Sequence, residues 1–206
     1  MTIIHRCVFT AAALIILAIS PPVQAKPEVG KAAPAFIGTD TKGQAIDLTQ
    51  YRGKTVILEW TNHDCPFVRK HYGAGNMQKT QKAARDDGIV WLSVISSAPG
   101  RQGHVDGTEA DRLTASRGAL PHHVLLDPKG TIGQDYEAKT TPHMYIVDAK
   151  GILRYRGAID SIPTANPSDI KDAVNYVRLA MRQMKLHAKV KPSVTRAYGC
   201  SVKYSW

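Results

Sequence analysis

Gly53-Lys54-Thr55-Val56-Ile57-Leu58-Glu59-Trp60-Thr61-Asn62-His63-Asp64-Cys65-Pro66 is the stretch that decides the fold. Thr55 to Trp60 is short, mostly apolar and partly β-branched, the composition of a buried strand. Asn62 to Asp64 reads as a polar loop. Pro66 suits the first position of a helix, where its missing N–H costs nothing. The stretch therefore predicts strand, loop and helix, with Cys65 at the helix N-terminus. The helical pattern runs toward Arg85, interrupted at Gly73 and Gly75 and ended by Asp86-Asp87-Gly88.

Working outward, Ile89 to Ile95 predicts a second buried strand, Ser96 to Gly107 a Gly-rich polar loop and Thr108 to Arg117 a short helix. His123 to Leu126 predicts a third strand, closed by the turn Asp127-Pro128-Lys129-Gly130, and Ile132 to Tyr136 a short helix. Met144 to Val147 and Ile152 to Tyr155 read as a hairpin across Asp148-Ala149-Lys150-Gly151. Pro167-Ser168-Asp169 is expected to open a last helix carrying Ile170, Val174, Val177 and Met181 on one face. Residues 26–50 read as a lead-in with a turn at Lys42-Gly43, and 185–206 as a basic tail without a clear element. Strands alternating with helices imply parallel pairing, and the hairpin adds antiparallel strands. The fold class is α/β: a mixed central sheet flanked by helices on both faces, with a C-terminal tail.

The first 25 residues stand apart. His5 and Arg6 precede an apolar run from Val8 to Ile19, and Val23-Gln24-Ala25 places small residues where a signal peptidase reads. The run is shorter than the roughly 20 residues of a membrane span, so 1–25 reads as a secretory signal cut after Ala25. The mature protein is then expected to be soluble, without stable membrane insertion, and periplasmic. The division is a leader at 1–25, a domain at 26–184 and the tail at 185–206. The formal net charge of +10 is spread along the chain, which favours a solvated basic surface over nucleic-acid binding.

With Cys7 lost in the leader, Cys65 and Cys200 remain. In an oxidising compartment such a pair is a structural bridge, a redox couple or two separate thiols. A helix N-terminus favours a negative sulfur, and the thiolate is the nucleophile. Arg69, one turn on, with Lys70, His71 and His63 nearby, is expected to lower the Cys65 pKa, and Asp64 to oppose it. Tyr198 and Tyr204 read as tail anchors.

Val29-Gly30-Lys31-Ala32-Ala33-Pro34-Ala35-Phe36, the strand at 53–60, Cys65-Pro66, and Thr140-Thr141-Pro142 followed by Met144 to Asp148 and Gly151 together resemble the thioredoxin-like superfamily. The likeness is greatest to its redoxin branch, the alkyl hydroperoxide reductase/thiol-specific antioxidant (peroxiredoxin-like) group, and covers residues 28 to about 183. It implies a thioredoxin-like fold with a cis bond at Thr141-Pro142, whose exposed backbone faces Cys65 and pairs with an extended substrate; His143 follows it. It implies thiol chemistry on a peroxide or a protein thiol or disulfide, with an external thiol as reductant and no cofactor. Cys65, Cys200, Thr141, Pro142, Arg69 and His63 are the expected site residues. The chain departs from the pattern in three places. Val68 replaces the second cysteine of Cys-x-x-Cys. Asn62 and Leu58 stand where peroxiredoxins carry Thr or Ser, and Pro. Cys200 then reads as a resolving cysteine swung in by the tail, as one end of a static bridge, or as a thiol too far away to meet Cys65. The competing class is a non-catalytic module that binds an extended peptide, or a metal through His63, Cys65 and His143 in the manner of a copper chaperone; one thiolate with imidazoles is a weak set for Cu(I).

Overall fold

The computed structural model describes residues 26–205; the signal sequence read at 1–25 lies outside them. Strand β3 (Val56–Trp60) is buried along its whole length, because β4 (Val90–Ile95) pairs with it in parallel and β7 (His143–Val147) antiparallel. Beyond β4 lies β5 (His123–Leu126), parallel, and beyond β7 lies β8 (Leu153–Gly157), antiparallel. Alternate β3 residues enter opposite layers, as side chains on a pleated strand must. Leu58 and Trp60 pack with Phe36, Tyr136 and Tyr145, and Ile57 packs with Val68, Tyr72, Trp91 and Val177. The second layer is closed by α1 (Pro66–Gly73), α2 (Asn76–Asp86) and α5 (Tyr176–Lys185). The first is covered by α4 (Thr131–Asp135), while α3 (Gly107–Ser116) packs beside β5. The sheet is mixed with helices on both faces, as expected.

Several elements differ from the sequence reading. The lead-in contains β1 (Ile37–Asp40) and β2 (Ala45–Asp47), a hairpin that joins the sheet through β5 and gives the order β2-β1-β5-β4-β3-β7-β8. These strands are short, and Ile37 is 72 % exposed, so no apolar periodicity marks them. The helical pattern is interrupted as expected, Gly75 dividing α1 from α2 at φ +70°, a conformation favoured by glycine. Pro167–Lys171 forms only a 3₁₀ turn, and the last helix starts at Tyr176, where the Asn175 side chain accepts the Arg178 N–H. The tail is not free of structure. It runs beside β8, with Arg156 N–H donating to Ser193 O and Thr195 N–H to Arg156 O. It then forms β9 (Cys200–Ser201), antiparallel to β6 (Thr140–Thr141). Among the described residues no helix is long and apolar enough to cross a membrane.

Candidate active site

Cys65 occupies the N-cap of α1, directly before Pro66. Its thiol lies 3.0 Å from the Thr141 carbonyl oxygen, in position to donate to it. The Thr141-Pro142 bond is cis, as the resemblance implied. Cys200 stands opposite Thr141 in the β6–β9 register. Both cysteines are free thiols, Cys65 buried and Cys200 half-buried; Cys200 packs against the cluster that holds Cys65, and each thiol shifts the other's ionisation. The tail is therefore already docked, with Cys200 beside the Cys65 cluster.

The sulfur's surroundings set its acidity. Burial pushes the Cys65 thiol up, but the neighbouring Cys200 side chain, Thr141 and the Cys200 and Val68 N–H groups outweigh it, so the pKa lies below the usual value. The Val68 N–H is one of the unpaired donors of the first helical turn. Cys200 moves the other way, to about 11, through burial, its hydrogen bond to Cys65 and the nearby Cys65 charge. Cys65 is thus the more acidic of the two thiols.

Arg69 and His63 do not perform the role expected of them. Arg69 is 64 % exposed; its Nη2 lies 2.8 Å from Asp64 Oδ1, and its Nε donates to His63 O at 3.0 Å. His63 Nε2 is 3.4 Å from Asp64 Oδ2. Asp64 thus gathers both side chains, and neither is among the groups that lower the Cys65 pKa. Lys70 and His71 turn inward, away from the loop. His143 is buried beside Tyr145, with Nδ1 3.1 Å from the Tyr145 hydroxyl; burial, then Arg156 and Lys139, lowers its pKa to about 3. Among the described residues no three His, Cys, Asp or Glu side chains gather as a metal site, so His63, Cys65 and His143 are not brought together as ligands.

The family model described as AhpC/TSA matches residues 29–156, more than half of the chain. The chain belongs to the AhpC/TSA family. It is 30% identical over 125 residues to the thioredoxin-like protein YneN of Bacillus subtilis, covering 61% of this chain and 68% of that one. It is 26% identical over 154 residues to a peroxiredoxin of Cynops pyrrhogaster, covering 70% and 75%. A hypothetical protein of Sinorhizobium meliloti superposes with a TM-score of 0.72 at 18% identity over 86% of this chain and 95% of that one, a likeness of fold.

Within this AhpC/TSA domain the departures from the peroxiredoxin pattern have visible structural roles. Asn62 Oδ1 accepts the Asp64 N–H at 2.9 Å and its amide donates to Gln102 O at 3.2 Å, so it ties the loop to the segment after β4. Leu58 is core. Thr61 Oγ1 is buried and has no hydrogen-bond partner among the described residues. The sequence could not single out the polar group behind α1, where buried Lys70 meets Asp160, His71 and Tyr198. No periodicity distinguishes a buried lysine from a surface one.

Proposed function

We propose that this AhpC/TSA protein is an exported thiol oxidoreductase in which Cys65 is the nucleophile and Cys200 the resolving thiol. The observation that carries the reading is the β6–β9 register, which sets Cys200 opposite Thr141, the residue whose carbonyl oxygen lies 3.0 Å from the Cys65 sulfur. The Cys65 thiolate attacks a peroxide oxygen. An S–O bond forms, the O–O bond breaks, and the departing alkoxide or hydroxide takes a proton to leave as an alcohol or water. Sulfur is oxidised by two electrons and the peroxide reduced. The Cys200 sulfur then attacks the sulfenic acid, the S–O bond breaks, and the Cys200 proton leaves with the hydroxyl as water. Two equivalents of an external thiol restore the dithiol through a mixed disulfide.

The alternative oxidant is a protein disulfide. Complete burial of Cys65 and occupation of the Thr140–Thr141 edge by the chain's own β9 favour the small oxidant while the tail is docked. The leader pattern at 1–25 supports export, and with it a periplasmic setting.

Mass spectrometry of the purified mature chain, alkylated before and after one equivalent of hydrogen peroxide, tests the reading. Loss of free Cys65 and appearance of a Cys65–Cys200 disulfide, both absent in Cys65→Ser, is the expected result. Unreactive thiols, or peroxide consumption that survives Cys65→Ser, would overturn it.

A further inference from the structure

A polar cluster lies behind the candidate site and takes no part in the bond changes above. Lys70 on α1 is 0 % exposed and Asp160 2 %, with Nζ 3.2 Å from Asp160 Oδ2. Nζ also donates to Ile162 O at 2.8 Å. His71 Nε2 lies 3.9 Å from the same carboxylate oxygen, and its Nδ1 faces the Asn76 amide at 2.8 Å. A buried pair of this kind needs several partners to hold its geometry. One of them comes from the tail. The Tyr198 hydroxyl donates to Asp160 Oδ1 and lies 3.4 Å from Lys70 Nζ and 3.3 Å from His71 Nε2. Its ring meets Phe67 edge-on, with centroids 5.8 Å apart. Phe67 and Lys70 both belong to the helix that Cys65 caps.

Tyr198 precedes Cys200 by two residues, and the residue between them allows no slack. Gly199 has φ +137°, and a Cβ there would collide with the Thr141 carbonyl oxygen. An extended chain rises about 3.3 Å per residue, so a seated Tyr198 leaves Cys200 one place to stand. On the far side, Val202 N–H donates to Lys139 O, Ala98 N–H to Lys203 O, and the Tyr204 hydroxyl to Ala138 O.

We propose that Tyr198 is a positioning residue for disulfide formation: seated in the Lys70–Asp160 cluster, it fixes the register of β9 and so holds the Cys200 thiol on the Cys65 sulfur. The inference rests on the reading of the two cysteines as a couple, and it assigns the speed of the second step to a hydroxyl that touches neither sulfur. Resolution of the sulfenic acid is an intramolecular substitution, in which the Cys200 sulfur displaces the Cys65 hydroxyl as water. Such a step depends steeply on placement, and a misplacement of about 1 Å can cost about 100-fold in rate.

The test is a single turnover of the mature full-length protein with hydrogen peroxide, quenched at intervals with dimedone and an alkylating agent and read by mass spectrometry. Tyr198→Phe keeps the ring and removes the hydroxyl. The expected result is an unchanged rate of Cys65 oxidation and a disulfide rate lower by about tenfold or more, with dimedone-trapped sulfenate and Cys65 sulfinate accumulating. Gly199→Ala, which lifts β9 by its Cβ, should give the same split and carries the test if Tyr198→Phe does not fold. A purely structural role would lower the melting temperature without separating the two rates. Disulfide formation at the wild-type rate in either folded variant overturns the proposal. Absence of the disulfide in the wild type itself overturns the couple, and the positioning role with it.

Discussion

Replacing Lys70 by Met tests the most exposed assumption about how the tail is anchored. The Lys70 side chain is fully buried against an almost equally buried Asp160. Met fills the volume of the lysine stem and removes the charge, so the loss is electrostatic and not a cavity. Asp160 would keep its Oδ1 bonds from the Tyr198 hydroxyl and the Ile162 N–H, but its charge would be buried without a countercharge, and Ile162 O would lose its donor. Removing one partner of such a pair costs about 3–5 kcal/mol. At about 2–4 °C per kcal/mol for a domain of this size, the melting temperature should fall by roughly 6–20 °C. The assay is urea and thermal unfolding of wild type, Lys70→Met, Asp160→Asn and the double variant. Asn still accepts from Tyr198 and Ile162, so removing both charges together should recover about 2 kcal/mol relative to the sum of the single losses. A Lys70→Met cost below about 1 kcal/mol, or additive losses around the cycle, would refute the reasoning.

Two further outcomes follow from the titrating groups. Cys200→Ala removes the side chain that does most to lower the Cys65 pKa, so the pH profile of Cys65 alkylation should move to higher pH; an unmoved or lowered midpoint would show that Cys200 does not stabilise the thiolate. Burial, ahead of all other causes, lowers His143 to about 3 and His71 to about 4. A histidine with a depressed folded pKa contributes stability that is present above its unfolded value near 6.5 and lost as pH falls through the folded one. Unfolding free energy should therefore drop between pH 6.5 and 4, by about 3 kcal/mol for each group. His143→Gln, which keeps an acceptor for the Lys139 N–H, should flatten that slope in pH-dependent urea titrations; an unchanged slope would remove His143 from the account.

Much of the fold was legible because it is local. The apolar run at 56–60, Pro66 at a helix start and Gly75 at a break each act through their own backbone preferences or their periodicity, which any reading along the chain detects. The β1–β2 hairpin was not legible. Its strands are too short to show a pattern, and what holds them is pairing to β5, some eighty residues away in sequence. The same division runs through the candidate site. Sequence singled out Cys65, Thr141 and Pro142, but chose Arg69 and His63 as the charges beside the sulfur on proximity alone. Side-chain direction around the first helical turn decided otherwise and sent both to Asp64.

By itself the sequence determined an α/β domain with a lone cysteine at a helix start and a second far away in a tail. Whether those sulfurs meet depends on where a segment 135 residues distant docks. That is a sum of contacts with no local signature: β9 on β6, Tyr198 in a buried ion-pair cluster, Gly199 against a carbonyl and Tyr204 on the far side. Tertiary structure alone decided that Cys200 docks opposite Thr141, beside the cluster that holds Cys65. The neighbours so gathered, Cys200 first among them, then lower the pKa of a sulfur whose burial would otherwise raise it.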